Sequence, residues 1–260
     1  MADKDRTDQD GTDQGGGGRL RGYVFRPAPG PTLFMVLGVA FMLFLGSWQV
    51  QRLLWKEDLI STRQSRFTAP VVAPPPANAD AAAIGEFEFH RVRLEGVFLH
   101  GREMYLGARS LMGHVGYHVL TPLQRADNSL VLVDRGWVPL DYKDPAPRAA
   151  AQVQGPVLLE GVIRAPGRKS RFTPDNVPQD NFWFYVDLPA MASYAGLDPL
   201  VSWYVEAGAA PNPGGFPMGG QSKVDLPNDH LQYAITWYSL ALVLLVIYLI
   251  YSTTREGENV

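Results

Sequence analysis

The chain has 260 residues, a formal net charge of -3 and no cysteine. Disulfides, thiolate catalysis and cysteine-held zinc, iron–sulfur or copper centres are therefore excluded, and a chain without a basic stripe offers nothing to a nucleic acid. The apolar fraction of 46% is that of an ordinary soluble protein, but these residues are concentrated in two blocks.

Residues 1–26 read as a disordered tail. The first 20 are Asp-rich and end near four consecutive glycines, Gly15 to Gly18. They are too acidic for a mitochondrial presequence, which favours a bacterial source. Between Arg26 and Arg52 lie 25 residues without formal charge. At 1.5 Å per residue they reach about 37 Å, enough for a hydrocarbon core of about 30 Å. A cleaved signal peptide is the rival reading. The apolar core is too long for one, and WQVQRLLWKEDL after it carries no small-residue cleavage site and continues as helix. Residues 27–51 are thus expected as an uncleaved span, with a polar helix leaving the membrane over 49–66.

Residues 68–83, TAPVVAPPPANADAAA, break that helix, and their prolines predict an extended linker. Strand-like segments follow: Phe87–Phe98, Met104–Ala108, Tyr117–Leu123, Leu130–Val138, Val157–Arg164, Phe182–Asp187 and Val201–Glu206. Turn signals separate them, notably Asp-Asn-Ser before Leu130 and the Pro/Ala-rich stretch 144–156. The expected fold is an antiparallel, strand-rich α+β domain or small barrel over residues 52–229. One helix is expected within it, capped by Asp187, with Pro189 in its first turn and Gly196 at its end. Residues 207–220, GAAPNPGGFPMGG, resemble a flexible tether.

The second apolar block predicts a span over 230–253, with Trp and Tyr near both ends as in interfacial aromatic belts, and a short tail over 254–260. A buried core helix is the bland reading of either block, but two such runs would leave no amphipathic partner to cover them. Two spans put both termini on one side. Arg19, Arg21 and Arg26 before the first span balance Arg52, Lys56, Arg63 and Arg66 after it, so positive charge does not fix the orientation.

Chemistry is sparse. His114 and His118 share a strand face but stand about 13 Å apart, too far for one metal ion. No nucleophile elbow, phosphate loop or His-Glu-x-x-His occurs, so the chain does not read as an enzyme. At the membrane boundary, Trp48, Arg52 and Trp55 fall on one face of the first helix, and His230, Tyr233 and Trp237 on one face of the second. Two readings stay open. The residues anchor the helices at the interface, or they form a site for a planar amphiphile such as haem, with imidazole on iron, aromatic stacking and Arg on propionates. Within the domain, LVLVDRGWVPL (130–140) carries a Gly136 that permits a bulge or a close backbone approach, and a Pro139 that ends the strand. Arg135 and Trp137 then serve either as a partner-binding surface or as structural core.

LGSWQVQRLLWK (45–56), GYHVLTPL (116–123), VLVDRGWVP (131–139), LEGVIR (159–164) and NDHLQYAITWYSLAL (228–242) carry a resemblance to the surfeit-locus cytochrome c oxidase assembly factors. It covers about residue 30 to residue 253. Asp134 departs from the Asn of the family pattern, and the acidic N-terminus and Pro-rich insert lie outside it. The resemblance implies a bacterial inner-membrane protein with cytoplasmic termini and a periplasmic domain. It implies a chaperone that assists maturation of the haem-copper oxidase catalytic subunit, with haem A as transient cofactor, His230 as iron ligand and haem A synthase as a second candidate partner. The alternative is a scaffold that stabilises an oxidase intermediate without haem, through Arg135 and Trp137.

Overall fold

A computed structural model describes residues 23–167, 169–197 and 200–255. Of the disordered tail expected over residues 1–26, residues 1–22 lie outside them, and Tyr23–Phe25 form a strand instead. The chain divides into two compact units: one holds the chain up to Leu54 and from Asn228 onward, the other runs from Trp55 to Pro227.

The first unit is a helical hairpin. Strand β1 (Tyr23–Phe25) leads into helix α1 (Pro29–Thr68), whose prolines 29 and 31 fall in the first turn, where no intrahelical N–H is needed. The helix runs uninterrupted through the expected span and the polar stretch after it. It stops at Thr68, two residues before Pro70, because the residue before a proline avoids the helical region. Helix α4 (His230–Tyr251) is the second apolar helix. Both are long and apolar enough to cross a membrane, and most of their large apolar side chains are exposed, as lipid contact requires.

Small residues set the seam between them. Ala234, Ala241 and Tyr248 are buried at seven-residue intervals on α4. On α1, a Cβ added to Gly46 would stand 2.8 Å from the Tyr238 ring, and one on Gly38 2.8 Å from Leu244 Cδ2. Close backbone approach through glycine is how apolar helices associate without a hydrophobic driving force. Two hydroxyl pairs cross the seam, Ser47–Tyr238 at 3.1 Å and Thr32–Tyr248 at 2.7 Å. Beyond α4, strand β9 (Thr253–Arg255) pairs antiparallel with β1, an element the sequence did not suggest.

The second unit contains the end of α1, helix α2 (Ala81–Phe87) and seven strands: β2 (Arg91–Phe98), β3 (Met104–Leu111), β4 (His114–Gln124), β5 (Leu130–Pro139), β6 (Pro156–Arg164), β7 (Phe182–Trp183) and β8 (Leu200–Ala207). Helix α3 (Leu188–Ala195) precedes β8. The order β2-β6-β8-β5-β4 closes on itself through a short β2–β4 pairing, Val97 opposite Gln124 and Phe98 opposite Leu123. Gly96 permits the closure, since a Cβ there would lie 2.4 Å from the Gln124 carbonyl oxygen. The result is a five-stranded barrel, with β3 and β7 extending the sheet beyond β4.

Inside the barrel, Val92, Leu94, Leu123, Val131, Val133, Ile163, Trp203 and Val205 form one core, plugged by Ile84 of α2. The opposite face of β5 meets a second core, where Leu132, Leu120 and Met104 pack on Trp183 and on Met191 of α3. Alternate residues of β5 thus serve different cores, which explains the apolar run Leu130–Val133 at its start.

Helix α3 has the predicted caps: Asp187 accepts from the Ala190 N–H at 3.1 Å, and Gly196 adopts φ +62°. Three local expectations change. The end of the linker forms α2, because Asp80 caps the Ala run by accepting from the Ala83 N–H at 2.8 Å. Phe87 closes that helix instead of opening a strand. The tract 207–220 is pinned to the barrel, with Met218 and Trp137 exchanging backbone hydrogen bonds of 2.8 and 2.9 Å. The sheet is also not wholly antiparallel: β5–β8 and β3–β7 run parallel.

Candidate functional site

His230 is the first residue of α4 and partly buried. Four residues before Ala234, it lies about 40° from the seam, so it faces α1. Its Nδ1 stands 2.7 Å from Gln49 Oε1. An amide oxygen only accepts, so Nδ1 carries the proton, and in the neutral ring the lone pair is then on Nε2. On α1, Gln49 lies about 60° from Gly46, whereas Trp48 and Arg52 lie about 160° and 120° away. The structure therefore brings Gln49 to His230 and keeps Trp48 and Arg52 on a different face, with the guanidinium 5.8 Å from the indole centroid. Trp48 is 44% and Trp55 56% exposed, and Tyr233 is exposed on its helix. Trp237 packs edge-on against Phe41, ring centroids 6.5 Å apart.

Gln49 is the residue sequence reasoning missed. It lies inside the LGSWQVQ stretch, but one step away from the aromatic face on which attention fell.

In the barrel, Arg135 and Trp137 lie inside: they are 2% and 6% exposed. Gly136 between them adopts φ +116°, and a Cβ there would meet the Met218 carbonyl oxygen at 2.0 Å. The close approach expected of this glycine is present. Its position turns Arg135 inward to a buried charge cluster. Arg148 grips Glu103 with two hydrogen bonds, 3.1 and 2.6 Å, and Arg135 reaches the same carboxylate at 3.4 Å. Arg135 also donates to the Ala151 carbonyl at 2.5 Å and to Asn212 Oδ1 at 3.2 Å, and lies over the Phe98 ring. Burial pushes the Arg135 guanidinium below its ordinary value, with Glu103 opposing. Burial, then the Glu103 charge, pushes the Tyr105 phenol up to about 12. With two guanidinium groups on one carboxylate, this cluster holds loop 144–156 and the 207–220 tract to the barrel wall.

His118 pairs with Asp134 across β4–β5 at 2.8 Å. Asp134 also accepts from the Gly136 N–H at 2.9 Å. The residue that departs from the family pattern therefore has an ionisable partner. Among the described residues, no group of three or more His, Asp or Glu could hold a metal ion.

Residues 36–242 match the family model described as SURF1 family. A SURF1-like protein of Monosiga brevicollis is 37% identical over 243 residues, 88% of this chain and 90% of that one. Surfeit locus protein 1 of Mus musculus is 37% identical over 222 residues, covering 80% and 71%, and that of Homo sapiens 36% over 213 residues, covering 76% and 69%.

Proposed function

The chain belongs to the SURF1 family, and from that premise we propose that it is a membrane-anchored assembly factor for a haem-copper terminal oxidase. It holds haem A through His230 and assists its insertion into the catalytic subunit. It acts without catalysing a reaction of its own. Its helices lie in a bacterial inner membrane, its termini in the cytoplasm and its barrel in the periplasm, and it meets the oxidase subunit and haem A synthase there.

The observation that carries this reading is the Gln49–His230 hydrogen bond. An imidazole that ligates iron uses one nitrogen and donates from the other to an oxygen that fixes the ring. His230 meets that requirement, and its residue type and exposure fit a haem ligand. Bound haem would supply the iron that Nε2 ligates. Gln49 holds the ring, and Arg52, Trp48, Trp55, Tyr233 and Trp237 are the residues that would meet the propionates and the macrocycle. Transfer to an acceptor requires release, which a single strong ligand allows.

The test is to purify the full chain from cells that make haem A and from cells that do not, and to record visible spectra. A haem A spectrum from the first preparation, lost in His230→Ala, supports the reading. Unchanged haem content in His230→Ala rules out the ligand role. Rescue of oxidase assembly by a cofactor-free protein would favour a scaffold that works without haem.

A further inference from the structure

A cavity of about 440 Å3 lies in the barrel unit, lined by β3, β4, β5, β6, β8 and residues 184–186 just before α3. Its walls carry Arg109 and Ser110 of β3, His118 of β4, Asp134 of β5, Arg164 of β6, Glu206 of β8, and Lys223. Its volume falls in the range of small-ligand sites, about 300 to 1,000 Å3.

The charges divide into satisfied and unsatisfied groups. Asp134 is engaged twice, by His118 and by the Gly136 N–H. Glu206 pairs with Arg164 at 3.3 Å. Burial also pushes the Glu206 carboxyl above its ordinary value, Arg164 opposing, which weakens it as a counter-charge. Arg109 donates only to the Phe184 carbonyl, at 3.4 Å. Among the described residues, neither Arg109 nor Lys223 makes an ion pair. Three cations thus face two carboxylates, and two of those cations have no anion. His118 adds direction. Nδ1–H donates to Asp134 Oδ2, which leaves Nε2 without a hydrogen-bond partner among the described residues, on a side chain that lines the cavity. An aspartate behind an imidazole fixes the orientation of the ring.

We propose that this cavity binds a small oxyanion, a phosphate or a carboxylate, between Arg109, Lys223 and the His118 imidazole. The planar guanidinium of Arg109 suits two oxygens of one anion, and Lys223 contributes a point charge at the rim. Asp134 positions His118 and does not touch the ligand. The site is independent of His230 and of haem.

The test uses the full chain in detergent at constant ionic strength, titrated by calorimetry with inorganic phosphate, with succinate, and with chloride as reference. Saturable binding of phosphate or succinate above chloride is expected, and the better probe identifies the source. Arg109→Gln and Lys223→Met should each weaken that binding at least tenfold with the melting temperature unchanged, and His118→Ala several-fold. Lys223 is exposed, so its variant reads binding even if Arg109→Gln disturbs the fold. No binding above chloride, or equal affinity in the wild type and Lys223→Met, overturns the proposal.

Discussion

Gln49 and His230 stand 181 positions apart in the chain, and their side chains meet in a hydrogen bond of 2.7 Å. The contact joins the two apolar helices near the start of α4 and fixes which imidazole nitrogen is free. On the proposed haem reading, removing the amide should therefore disturb the His230 ligand without removing it. Gln49→Leu is expected to lower haem affinity by about 10- to 100-fold, the usual effect of losing such a partner. Haem content and the Soret position of the purified variant check it. His230→Ala without loss of haem would instead defeat the ligand assignment itself.

Gly136 makes a different demand. A side chain there meets the Met218 carbonyl, and φ +116° is a region that only glycine enters without strain. Gly136→Ala should destabilise the protein by about 2 to 3 kcal/mol. For a unit of this size that lowers the melting temperature by several degrees, which a detergent-phase thermal melt would record.

Glu103 is the counter-charge of two buried guanidinium groups. Glu103→Ala leaves both without a carboxylate and should cost about 3 to 5 kcal/mol. Replacing Glu103 and Arg148 together by apolar residues should cost less than the single change, because the unpaired charge is then smaller. Thermal melts of the two variants against the wild type make the comparison.

Alkaline pH tests the same cluster. The Tyr105 phenol is raised from 10.0 to about 12 by burial and by Glu103. Between those values the unfolded chain has lost the proton that the folded chain keeps. The contribution of Tyr105 is therefore fully present below pH 10 and is lost as pH rises toward 12. Tyr105→Phe should show a shallower loss of stability over that interval, read from melts at successive pH values.

The helix seam depends on small residues. Gly46→Leu places a branched side chain where a single Cβ already lies 2.8 Å from the Tyr238 ring. The helices should then separate. The chain has no cysteine, so Gly38→Cys with Leu244→Cys gives a clean crosslinking readout. Crosslinking is expected in the otherwise wild-type chain and should fall sharply with Gly46→Leu.

Features with a strong local signal were legible in the sequence. Each span is a long uncharged run, and α3 carries its start and stop in Asp187, Pro189 and Gly196. Most strand segments hold because alternation and β-branched residues mark them, although the one expected over Phe182–Asp187 keeps only Phe182–Trp183 and Phe87 belongs to α2. What escaped depended on partners distant in the chain. Helix α2 hid behind a Pro-rich segment, and its one cue was Asp80. Barrel closure rests on two residue pairs and on Gly96, whose need for space appears only when Gln124 is beside it. The 207–220 tract has the composition of a tether, yet Asn212 and Met218 bind it to Arg135 and Trp137. At the candidate site the period-3.6 reading put Trp48 and Arg52 on one helix face, where the guanidinium lies 5.8 Å from the indole centroid. It could not tell which face meets the other helix, because that is set by Gly46 and Gly38, not by the conspicuous tryptophans.

Strand β1 precedes α1 and β9 follows α4, yet they pair residue for residue from Tyr23–Arg255 to Phe25–Thr253. The pairing cannot form until α4 has followed α1 into place with its far end beside the start of α1. A chain whose second helix stalled or inserted the other way round would leave both strands without partners. The small sheet thus forms only in chains whose two helices lie antiparallel, and protease resistance at these two strands would report how many newly made molecules have reached that arrangement.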